Sequence, residues 1–172
     1  MKHLTVLLIL LLLGACSQKA GRATPEGLNG EETFFMQEAS VLGVASVKLG
    51  QIALQRSSTE EVKQFAQTVI DDYVVAGQQI RNIAEKKEII LHTEPDEEDE
   101  STADRLSRMK GSAFDRQYIS IVLRDHQKGV DRFKVQAIQG RDSELKAFAE
   151  RNLPVLQQHL DHAKALHGKL GG

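Results

Sequence analysis

Two of the six histidines in this 172-residue chain fall where an amphipathic helix should present only hydrocarbon. In "IVLRDHQKGV" (121–130), counting from His126 in steps of three and four meets Ile119 and Val122 upstream, then Val130, Phe133 and Ala137 downstream. These form one apolar stripe at helical spacing, with an imidazole at its middle. His159 repeats the pattern among Leu156, Ala163, Leu166 and Leu170. A neutral imidazole can ligate a metal, carry a proton or close a buried hydrogen bond. Which of these applies depends on what else stands at the same level.

That level is set by the helices. Their stripes predict a first helix from about Glu32 to Arg56 and a second to about Ile90, started by a Ser58-x-x-Glu61 capping box. A short helix is expected near 102–110. A long one follows, capped by Ser112 and reaching about Gln139, and a last runs from Asp142 or Ser143 to about His167. Pro154 predicts a kink or a brief restart in the last helix. The acidic run "EPDEEDE" (94–100) reads as a solvated loop. Four long amphipathic helices with almost no strand signal indicate an all-α chain, a four-helix bundle over residues 31–170. A faint repeat links "EVKQFA" (61–66) with "ELKAFA" (144–149), 83 positions apart. Duplication of a hairpin and convergence of two helix starts both account for it.

Within that bundle the first helix carries Ser46 on its stripe and the second carries Tyr73. Ser46 and His126 lie about 11 and 13 residues before their hairpin turns; Tyr73 and His159 lie about 15 and 16 after theirs, so all four fall within roughly one helical turn of height. The expected core layer is therefore Ser46, Tyr73, His126 and His159. One reading is a closed, hydrogen-bonded polar cluster with neutral histidines. The other is a weak metal site in which His126 and His159, helped by Asp125 or water, hold a divalent ion such as zinc, copper or iron. Di-metal bundle sites need several inward carboxylates; the stripes carry none, and Asp72 and Asp125 point roughly 100° away around their helices. The polar cluster, without cofactor, is the leading expectation. His162 and His167 suit the end of the last helix, where a cation meets the dipole. His159-x-x-His162 has the spacing of adventitious chelation, and His92 falls in the acidic loop.

The start of the chain bears on location. "MKHLTVLLILLLLGACSQ" has a basic start, an apolar run from Leu4 to Leu13 too short to span a membrane, and Leu13-Gly14-Ala15-Cys16. That is a bacterial lipobox: residues 1–15 read as a signal peptide and Cys16 as the lipidated residue. The stretch 16–30 would tether it to the domain, with several acyl chains as a stable membrane anchor. Ser17, in place of the aspartate that retains lipoproteins at the inner membrane of enterobacteria, favours the outer membrane facing the periplasm. Cys16 is the only cysteine, so once it is lipidated the chain has no disulfide, thiol nucleophile or thiolate ligand. A net charge of −2 and the acidic run argue against nucleic acid as partner. The absence of tryptophan argues against a stacking surface for sugars or bases.

The segments "EEVKQFAQTVIDDY", "GSAFDRQYISIVLRDHQKGVDRF" and "ELKAFAERNLPVLQQHLDHA" resemble the bacterial family known as domain of unknown function 4142. The resemblance covers roughly residues 31–168. It implies an exported, often lipid-anchored, ferritin-like four-helix protein without a settled activity. Asp125-His126 and His159 match the family pattern. Ser46 stands where the family usually has glutamate, and Tyr73 where it usually has histidine. No serine, cysteine or phosphate-loop constellation of an enzyme is visible. The leading expectation is a non-enzymatic binding or structural module, with an envelope protein as a possible class of partner. The alternative is a ferritin-like metal-binding or redox protein with a degenerate site.

Overall fold

Hydrocarbon spaced at three and four residues builds five helices, and the computed structural model describes them over residues 27–171. Cys16, the apolar leader and most of the expected tether lie outside the described residues. The helices are α1 (Gly30–Arg56), α2 (Glu60–Lys86), α3 (Glu97–Ser107), α4 (Gly111–Gln139) and α5 (Ser143–Lys169), and no strand occurs among the described residues. None of these helices is long and apolar enough to cross a membrane. The four long helices pack as a ring, α1 beside α2, α2 beside α5, α5 beside α4 and α4 beside α1, while α3 lies against α1 and α4.

Several boundaries differ from the sequence reading for physical reasons. The acidic run is half helical: Asp96 caps α3 by accepting from the Asp99 amide at 2.8 Å, and Glu97 to Glu100 fill its first turn. Carboxylates there meet the positive end of the helix dipole. Glu61 closes no capping box with Ser58, because the N-cap is Thr59 and Ser58 donates instead to Asp115 on α4. The box that does form joins Asn29 and Glu32. Ser112 does not cap α4; Lys110 holds that place, and Gly111 takes a φ of 62° that favours glycine. Pro154 sits inside α5 without ending it.

The two hairpins repeat each other. Glu60 and Ser143, Lys86 and Lys169, and Arg56 and Gln139 are each 83 positions apart, so α2 and α5 share both boundaries and α1 and α4 share their ends. The tertiary contacts follow the same offset. Near the start of α1, buried Glu32 accepts from the Arg141 and Asp142 amides of the α4–α5 turn at 2.8 and 2.7 Å. Its counterpart 83 residues on is Asp115, fully buried near the start of α4. Asp115 accepts from the Ser58 and Thr59 hydroxyls of the α1–α2 turn at 3.0 and 2.7 Å. Each hairpin's first helix thus latches the other hairpin's turn, at opposite ends of a bundle about 40 Å long. This reciprocity favours duplication over convergence.

The hydrocarbon divides into two clusters. One gathers Phe65, Phe114, Tyr118, Ile119 and Leu166; the other gathers Phe35, Phe133, Leu145, Phe148 and Leu160. Phe65 and Phe148, the matched anchors of α2 and α5, are each 1% exposed and belong to different clusters. At Gly50 a Cβ would stand 2.7 Å from Ile70, so glycine lets α2 close on α1.

Candidate functional site

Between the two clusters, each long helix contributes one interrupting residue: Ser46 from α1, Tyr73 from α2, His126 from α4 and His159 from α5. All four are buried. On α4 the imidazole falls between Val122 of one cluster and Val130 of the other. The rings of His126 and His159 meet edge to face with centroids 5.3 Å apart, and Tyr73 lies 5.7 and 6.1 Å from them. The structure therefore brings the four residues to one level.

Hydrogen bonding sets the tautomers. A backbone carbonyl can only accept, so His126 Nδ1 donates to the Val122 oxygen at 2.9 Å and Nε2 is left bare. The Tyr73 hydroxyl, 3.4 Å from that Nε2, is its donor. His159 Nε2 donates to the Asp72 carboxylate at 2.9 Å, which leaves Nδ1 bare; that atom is buried and has no protein partner. Both outer nitrogens are thus fixed, one by a carbonyl and one by a carboxylate.

The electrostatics keep the layer neutral. Burial pushes His126 down to about 3; the facing His159 adds to this, and the bond to Val122 opposes it. His159 is also lowered by burial, against the pull of Asp72. Burial holds the Tyr73 phenol well above its usual range, despite the Ser46 side chain at its hydroxyl. The layer can accept or relay a hydrogen bond, but burial makes His126 a weak base and Tyr73 a weak acid.

Asp72 corrects the sequence reading, which set it aside as pointing away. It does leave the core stripe of α2, but towards α5, where it orients His159. Asp125 behaves otherwise: it pairs with Arg124 at 2.8 Å and makes no bond to either imidazole. Among the described residues, no group of three or more histidine, cysteine, aspartate or glutamate side chains is placed to hold a metal ion together. The buried carboxylates among them are Glu32 and Asp115, which serve as the end latches. This core therefore does not fit a carboxylate-rich di-metal centre. His162 packs edge-on to Phe65 with centroids 4.9 Å apart, and His167 stands in the last turn of α5.

Beside the layer, a cavity of about 430 Å³ opens between α1, α4 and the segment leading into α3. Phe35, Leu42 and Phe133 line its apolar wall, and Ser46 of the polar layer also reaches it. Its charged rim includes Asp96, Asp99 and Asp125, with His92, Lys128 and Arg132. Partial burial, then Asp96 and Asp125, raise Asp99 to about 6. His92 is strapped to α1: its amide donates to Gln37 at 2.8 Å and its carbonyl accepts from Ser40 at 2.6 Å.

The profile of a family described as "Domain of unknown function (DUF4142)" matches residues 17–166. It begins earlier than the resemblance carried by the helices and takes in the polar stretch before them. No curated protein matches the chain. Among solved structures, the crystal structure of a DUF305 fragment from Deinococcus radiodurans has a similar fold. The TM-score is 0.74 at 15% identity, over 84% of this chain and 99% of that one. At that identity the likeness concerns the fold alone. The matched span contains all four residues of the polar layer and both latches, and the chain belongs to the DUF4142 family.

Proposed function

We propose that this chain is a lipid-anchored bacterial envelope protein whose ferritin-like four-helix bundle is a non-enzymatic binding module. The observation that carries the binding role is the cavity between α1 and α4, which joins an apolar wall to a charged rim. Such a mixture is what pockets for small ligands require. The non-enzymatic reading is supported by the burial of the layer, which makes His126 a weak base and Tyr73 a weak acid. The anchor rests on Leu13-Gly14-Ala15-Cys16, and Ser17 favours the outer membrane, facing the periplasm. The test of the anchor is radioactive palmitate labelling followed by membrane fractionation. Wild type should carry label and sediment with membranes, while Cys16→Ser should lose the label and remain unprocessed. Label that survives the substitution removes the lipoprotein assignment.

A further inference from the structure

We propose that the cavity between α1 and α4 binds a monocationic amphiphile, a primary ammonium on an apolar tail, with its N–H groups at Ser46, Asp99 and Asp125. The inference rests on the binding-module reading and names its ligand class. The direction of hydrogen bonding in the core layer carries it furthest. His126 Nδ1 gives its proton to the Val122 carbonyl, so Nε2 accepts from the Tyr73 hydroxyl at 3.4 Å. The Tyr73 oxygen has then spent its proton. Burial raises this phenol most, and Ser46 opposes the rise, as a donor to the phenol oxygen does. Ser46 has therefore spent its proton too. Its oxygen, on a side chain 9% exposed at the cavity wall, is left with lone pairs alone. A molecule entering there must bring a donor.

Charge makes that donor a cation. Four carboxylates line the cavity: Glu38, Asp96, Asp99 and Asp125. Glu38 holds Arg132 at 2.7 Å, and Asp125 holds Arg124 at 2.8 Å. Lys128 offsets one of the other two, so, His92 aside, one negative charge is left over among the described residues. Asp99 is where it falls. Burial raises this half-buried carboxyl, Asp96, Asp125 and Glu98 add to that, and Arg124, which opposes them, is already bound to Asp125. An ammonium placed between Asp99 and Asp125 relieves the crowding. Shape supplies the tail. At the other end of the cavity the rings of Phe35 and Phe133 meet with centroids 5.0 Å apart. Phe35 precedes Ser46 by eleven residues on α1, about 16 Å along the helix, and Leu42 lies on the wall between them. A cavity of about 430 Å³ that is hydrocarbon at one end and rich in acceptors at the other complements a linear molecule of that polarity.

The experiment is isothermal titration calorimetry on the full chain in mild detergent, with empty micelles subtracted, at pH 8, where Asp99 is ionised. The probe is 4-phenylbutylammonium, and its counterparts carry a trimethylammonium, a hydroxyl or a carboxylate on the same tail. The primary ammonium should bind tightest, at one per chain. Asp99→Asn should weaken it about tenfold to a hundredfold and leave the alcohol unchanged. Ser46→Ala should weaken it about threefold to tenfold and leave the trimethyl counterpart, which brings no N–H, unchanged. Far-ultraviolet circular dichroism reports that the helices remain in both variants. Equal or tighter binding of any counterpart, or primary-ammonium affinity unchanged in either variant, would overturn the inference and leave the binding-module reading in place. Uptake of none of the four would overturn both. Palmitate labelling reads the anchor separately.

Discussion

Mild acid should destabilise the bundle through His126, and the size of the effect follows from its burial. The side chain is 1% exposed and sits at about 3 in the folded chain, against about 6.5 when unfolded. Between those values the unfolded chain binds a proton that the folded chain refuses. Stability therefore falls as pH drops below 6.5 and continues falling towards 3. At 1.36 kcal/mol per unit, going from pH 7 to pH 5 costs about 2 kcal/mol from this residue alone. For a chain of this size that is a fall in Tm of about 4–8 °C. His159, lowered by the same cause, acts in the same direction. Asp99 acts in the opposite one, because its raised value makes the folded chain the better proton acceptor between 3.8 and about 6. The comparison with His126→Gln separates them, since it removes one titration and leaves the rest. Metal-free thermal melts of both proteins at pH 7 and pH 5 should show the wild type losing about 4–8 °C more. Equal pH dependence in the two proteins would refute the placement of a neutral imidazole in the core.

Phe65→Ala and Phe148→Ala each empty a fully packed site and should cost about 3–5 kcal/mol, lowering Tm by about 6–20 °C in a calorimetric scan. Because the two rings lie in different clusters, the double substitution should be close to additive if it still folds. Glu32→Ala strands three backbone amides, those of Arg141, Asp142 and its capping-box partner Asn29, and Asp115→Ala two hydroxyls, each substitution costing about 1–3 kcal/mol by urea denaturation. These latches are at opposite ends, so their costs should sum to within about 0.5 kcal/mol.

The level of the polar layer was legible because helical periodicity and rise are local properties. Stripe position says that His126 and His159 face inward, and distance from a turn says how high they sit. Asp72 was not legible, because a residue flanking a stripe faces whichever helix packs beside it, and here the neighbour is α5 rather than α1. The same limit hid the fate of Ser58: its hydroxyl donates to Asp115, which arrives from 57 positions away, and α2 starts one residue later than expected, with Thr59 at the N-cap. The acidic stretch misled for another reason. Its charges suggest a solvated loop, yet from Glu97 on they occupy the one helical turn that favours them. The 83-residue offset was faint in the letters because only "E-K-FA" repeats, whereas the helix ends and the two latches repeat in full.

The reciprocal latches also assign different freedoms to different parts of the chain. Two halves that grip each other at both ends depend little on the covalent span between them, and lengthening such a span raises the entropy of closure only slowly. Here that span, residues 87–110, holds α3 and contributes His92, Asp96 and Asp99 to the cavity. One side of the cavity is thus drawn from the stretch between the hairpins, although α3 itself is tied in by Ala103 and Leu106. Charge reversals at Asp96 and Asp99, ahead of the buried Ala103 and Leu106, can reshape that side of the cavity while the imidazole layer and both hydrocarbon clusters keep their places. The charge that the cavity shows at this edge can drift without touching the residues that hold the two hairpins together.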